Sequence, residues 1–153
     1  MKARLIALAV LAALVAAVVW QWHADEADAR AHLLTALDPD TVGHLEVSLK
    51  GYSAQRFDRR DGRWVDASGA PTDEGRAAEL ASLAATPVND WKAASDFDPA
   101  KIGLAPPLAV LVIDGQRIAF GEMTALGKQR YARVGDRIAL VPAQALPRAP
   151  RLL

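Results

Sequence analysis

The stretch HLEVSLKGYSAQRFDRRDGRWVDASG, His44 to Gly69, decides the fold. Leu45, Val47 and Leu49 alternate with Glu46 and Ser48, the two-residue period of a strand with one buried face. Gly51 interrupts the run. Gln55, Phe57 and Arg59 then alternate with Arg56 and Asp58. Asp61-Gly62 places side by side two residues that tolerate positive φ, a strong signal for a two-residue hairpin turn. Trp64 and Val65 begin the returning strand. The reading is a meander of three strands.

Towards the C-terminus, PTDEGRAAELASLAATP (Pro71 to Pro87) predicts a helix. Thr72 is the expected N-cap, and Asp73 and Glu74 suit the positive end of the helix dipole. Ala77, Leu80, Leu83 and Ala84 form its apolar stripe, and Pro87 stops it. A one-sided helix after a meander packs on one sheet face, so the fold class is α+β. Val88 to Ser95 adds a short strand carrying Trp91. LAVLVI, Leu108 to Ile113, reads as a central strand covered on both faces. Asp114-Gly115 turns it into a strand over Gln116 to Phe120. Gly121 to Gln129 reads as a loop, and Tyr131 to Val134 and Arg137 to Val141 as a last hairpin around Gly135-Asp136. The tail is a helical turn broken by prolines.

Between helix and central strand lies DFDPAKIGLAPP, Asp96 to Pro107. Asp96 and Asp98 invite a calcium or acid–base reading. A calcium loop needs oxygen ligands at alternating positions and a glycine for the bend, and Pro99, Ala100 and Lys101 supply neither. Asp98 reads better as the cap of a helical turn that begins at Pro99 and ends at Gly103.

Towards the N-terminus the chain opens MKARLIALAVLAALVAAVVWQWHADEADAR. Lys2 and Arg4 precede an apolar run from Leu5 to Trp20. As a helix rising about 1.5 Å per residue, that run covers most of a ~30 Å hydrocarbon core. Trp20 and Trp22 stand where amphipathic rings favour the membrane interface. Basic residues before the run and Asp25, Glu26 and Asp28 after it put the N-terminus in the cytoplasm. A cleaved signal peptide shares the basic start and apolar core. Its small-x-small cleavage site is missing directly after the core, where Val18, Val19, Trp20, Gln21 and Trp22 stand. A retained anchor is the preferred reading. A pilin-like helix needs an early glutamate, and no acidic residue precedes Asp25. The expected organisation is an anchor over 1–22, a helical stalk over 23–40, an α+β domain over 41–146 and a tail over 147–153.

Acidic and basic residues balance at 18 each, which removes the basic stripe that nucleic acid binding needs. The absence of cysteine excludes disulfides, thiolate metal sites, a cysteine nucleophile and a lipoprotein anchor. Of His23, His32 and His44, only His32 has an acid four residues away on a helix, Asp28, and a metal or catalytic role is not expected for any of the three. No serine stands in a Gly-x-Ser-x-Gly or Ser-x-x-Lys motif, and no glycine cluster forms a phosphate loop. No catalytic, cofactor or metal residues are therefore expected. Arg56, Arg59, Arg60 and Arg63 cluster around the first hairpin, either as an edge that discourages aggregation or as a docking surface for an acidic partner or lipid headgroups. Met123, Lys128 and Gln129 in the expected loop and Arg130 just after it are further candidates for contact with a partner. Trp91 and Tyr131 are the aromatic candidates for a polysaccharide groove.

The order of LDPDTVGHLEV, the Trp64 hairpin and helix, and the segment from Asp96 to Val141 resembles a bacterial domain of unknown function. That family occurs in membrane-anchored extracytoplasmic proteins, often encoded beside gliding-motility-type ABC transporters and their auxiliary subunits. The likeness covers Leu37 to Ala145. It implies no enzyme. It implies an accessory or scaffold role at the bacterial cytoplasmic membrane, with the lipid bilayer and integral-membrane transporter subunits as partners. A periplasmic ligand- or polysaccharide-binding module is the alternative, and a small hydrolase comes third.

Overall fold

The computed structural model describes residues 2–150. The chain forms two compact units, Met1–His32 and Leu33–Leu153.

The first unit is α1, Lys2–Ala31, none of whose residues is buried. It is long and apolar enough to cross a membrane. Trp20 and Trp22 are exposed on it. Its last turn holds an ion pair between Glu26 and Arg30, and Arg30 suits the negative end of the helix dipole. Sequence periodicity predicts a separate stalk as far as Leu37. Instead, α1 runs through the membrane-length segment to Ala31 and stops there. Leu34 and Thr35 belong to the domain: their N–H groups donate to Thr86 O at 2.8 Å and Ala84 O at 3.0 Å. Leu34 is buried in the core. The helix spacing was real as far as Ala31; beyond it, burial of Leu34 and pairing with the carbonyls after the second helix prevail.

The second unit is built on one antiparallel sheet: β1 (His44–Leu49), β2 (Gln55–Arg60), β3 (Arg63–Asp66), β4 (Asp90–Ala93), β5 (Ala109–Ile113), β6 (Gln116–Met123), β7 (Gln129–Val134) and β8 (Arg137–Pro142). The strand order is β3-β2-β1-β5-β6-β7-β8-β4. The expected three-strand meander forms, and its turn has Asp61 and Gly62 at φ 50° and 77°. A register shift lies between Phe120 and Met123, so Gly121 to Met123 extend β6 and the expected loop shrinks to 124–128.

The second helix, α2 (Glu74–Ser82), covers one sheet face. Asp73, not Thr72, is its N-cap: the Asp73 carboxylate accepts from Arg76 N–H at 3.0 Å. Ala77, Leu80, Ala81 and Ala84 join Leu45, Val47, Phe57, Leu111, Ile118 and Phe120 in the main core. The opposite face is only half covered. There Ile102 and Leu104 pack on Ala119 and Ile138, with Phe97 and Tyr131 alongside. This segment reaches β6, β7 and β8 but leaves β1, β2 and β3 open. The central strand β5 is consequently not covered on both faces: Ala109, Leu111 and Ile113 are buried, whereas Val110 and Val112 are only half-buried. The expected tail begins in contact, because Pro147 is fully buried; residues 151–153 lie outside the described residues.

Candidate functional site: the uncovered half of the sheet

Strand alternation places His44, Glu46 and Ser48 of β1 on the open face. Register brings Asp58 opposite His44 and Arg56 opposite Glu46. Arg60 and Arg63 stand opposite each other across β2 and β3. Val110 and Val112 of β5 lie beside Ser48 and Glu46, and Arg117 of β6 lies opposite Val112. The open face therefore holds half-buried Val110 and Val112 with Ser48 and Glu46 on one side and Arg117 on the other, while Arg60 and Arg63 stand at the β2–β3 hairpin, past the start of β1.

His44 is the most constrained group. Its Nδ1 lies 2.6 Å from Asp58 Oδ1, and its Nε2 lies 3.3 Å from Glu46 Oε1. Arg56 Nε completes the row, 3.6 Å from Glu46 and 3.8 Å from Asp58. The hydrogen bond from His44 holds the Asp58 carboxyl below the usual aspartate range; the charges of His44, Arg56 and Arg60 add to this, and burial opposes it. Backbone N–H groups of Gly43 and His44 donate to the Asp114 carboxylate at 3.1 and 2.8 Å, fixing the start of β1 against the β5–β6 turn. Both ring nitrogens of His44 therefore face carboxylates, and the ring links Asp58 and Glu46 into one ionic row. Among the described residues, no group of His, Cys, Asp and Glu is arranged to hold a metal ion.

Arg56 is neutralised within this row. Arg60, Arg63 and Arg117 have no ion pair among the described residues. Like charges directly opposite in a sheet disfavour the pair, and Arg60 and Arg63 concentrate positive charge here, with the Asp58 carboxylate acting on Arg60 only through its charge.

The other residues singled out from sequence separate from this face. Arg59 alternates to the helix side, where its guanidinium stacks 4.8 Å over Trp64 and donates to Asp40 O. Arg130 is buried and braces the chain by donating to Ala143 O at 3.0 Å and Gly121 O at 2.6 Å. Burial lowers its pKa from the usual arginine value. Trp91 and Tyr131 sit opposite Ala139 and Leu140, adjacent residues of β8, so they point to opposite faces and share no groove. Arg137 stacks 4.0 Å over Trp91, and Tyr131 meets Phe97 edge to face at 5.6 Å. Met123 is exposed at the far end of β6. Asp98 serves as the cap of its turn: its carboxylate accepts from Ala100 N–H at 3.1 Å, and Gly103 closes the turn at φ 70°. Asp58 and Arg117 were not singled out from sequence. The signal for Asp58 was its matching parity with His44 across a short hairpin.

Protein-family models, curated proteins and solved structures were compared with the chain, and none matches it.

Proposed function

We propose that the chain is a single-pass protein of a bacterial cytoplasmic membrane, with its N-terminus in the cytoplasm and its α+β domain on the periplasmic side. In this reading the domain is a non-enzymatic accessory or scaffold unit that docks an acidic partner protein. The single observation that supports it most is the open half-sheet, where Arg117 lies opposite half-buried Val112 and the paired positions Arg60 and Arg63 add positive charge at the hairpin end of the same face. Apolar surface supplies contact area for a partner, and unpaired arginines favour one of opposite charge.

The basic start of α1 and the acidic residues after Trp22 support the orientation. The mechanism is recruitment. An anchored domain meets other proteins of the same membrane at raised effective concentration, so a weak contact suffices. The family resemblance favours integral-membrane subunits of an ABC-type transport or gliding-motility-like system as the partner.

Crosslinking followed by capture of the full chain from detergent extract tests this. Transporter subunits should be recovered with the wild-type chain and depleted with R60E/R63E. Recovery of no membrane protein, or equal recovery with both chains, contradicts the proposal.

A further inference from the structure

Outside α1, the large hydrophobic side chains exposed among the described residues are Tyr52, Met123 and Leu126, at 45%, 53% and 86%. Single exposed apolar residues scattered over a surface need no explanation. These three share one end of the sheet. Lys50 N–H donates to Leu108 O at 3.0 Å, and Leu108 N–H donates to Phe120 O at 2.9 Å, so the end of β1 and the start of β5 stand in one row with Phe120, beyond which β6 runs on to Met123. Tyr52 follows that row on the β1–β2 connection. Met123 and Leu126 follow it at the β6–β7 turn.

The exposure of Leu126 is built in. Thr124 N–H donates to Gln129 O and Gly127 N–H to Thr124 O, both at 2.8 Å, which closes the turn with Leu126 at its tip. Gly127 takes φ 68°, a conformation that favours glycine. Lys128 follows within the turn and Lys50 precedes Tyr52, both exposed. Glu122, the neighbouring acid, has its side-chain stem against the Gly103 turn.

We infer that this end of the domain is a lipid-contact surface, with Leu126 and Met123 dipping into the interface of the bilayer that α1 enters. A bilayer fits the chemistry: apolar tips enter the acyl boundary, lysines reach up to phosphate, and a tyrosine ring lies at headgroup level. The inference rests on α1 being an anchor. It does not depend on the arginine face, which lies on the broad side of the sheet.

The chain has no cysteine, so single-cysteine variants label cleanly. Full-length L126C and D136C, each carrying an environment-sensitive dye, are reconstituted in phosphatidylcholine–phosphatidylglycerol vesicles. Asp136 lies in the β7–β8 turn at the opposite end of the sheet. The expected result is blue-shifted emission at position 126, quenched by headgroup-linked nitroxide lipid, with neither effect at 136. Equal exposure of the two dyes to an aqueous quencher overturns the inference. Release of the whole chain by alkaline carbonate overturns it through loss of the anchor, a result separable from a water-exposed tip on a firmly inserted chain.

Discussion

The carbonyl oxygen of Ile102 lies over Gly121 so closely that a Cβ at that position would sit 2.3 Å from it. The same carbonyl accepts from Glu122 N–H at 2.9 Å. Leu104 closes the other side, with Cγ 3.1 Å from the Cβ position. This backbone contact seats the 94–104 segment on β6. It thereby sets where the covered half of the sheet ends and the open half begins.

Replacing Gly121 with alanine should therefore overpack a backbone contact that cannot yield as a flexible side chain would. The expected loss is about 1–3 kcal/mol in urea unfolding. At Gly43 the nearest atom to a Cβ is Asp114 Oδ1 at 3.8 Å, an ordinary contact, so G43A should be close to neutral. Equal losses at the two positions would contradict the account.

Asp58 carries a pH signature. Its carboxyl has a lowered pKa when folded, so it contributes stability above the ordinary carboxylate range. That contribution falls away as pH drops through the lowered value. The stability difference between wild type and D58N should be largest towards neutral pH and should shrink in acid. Unfolding curves across that range check it, and a difference that grows in acid would refute the assignment.

The start of α2 separates two adjacent residues. D73A removes the carboxylate that accepts from Arg76 N–H and should cost about 1 kcal/mol. T72A removes no cap hydrogen bond and should cost clearly less. Thermal melts of both variants decide between them.

Arginines on the two sides of the argument should behave differently. R130M leaves the carbonyls of Gly121 and Ala143 without their donor, at an expected cost of about 1–3 kcal/mol. R63A removes an exposed, unpaired charge and should stay within about 0.5 kcal/mol of wild type. A marked loss of stability in R63A would make Arg63 structural.

Much of the sheet was legible because its signals are local. Alternation in β1 and β2 and the Asp-Gly pairs at 61–62 and 114–115 define strands and turns within a few residues. What joins them is not local. The pairing of β1 with β5 unites the first meander with the second half, and β4 finds its partner at the far edge beside β8. Nothing in either strand's period encodes that choice. Leu34 illustrates the same limit: its helical spacing continues α1, but its burial is decided by α2 and the residues after it. At the site, the arginine-rich hairpin was visible in the sequence, whereas the division of Arg59 from Arg60 and Arg63 depended on strand parity and on which face α2 covers. The His44–Asp58 contact depended on the hairpin register.

The most direct test of the docking claim places a photo-crosslinking amino acid at Ser48, an exposed position on the open face, in the full-length chain in its native membrane. The account predicts an adduct with another membrane protein that disappears in R60E/R63E and weakens as salt rises. An adduct unaffected by charge reversal, or none at Ser48, would contradict it.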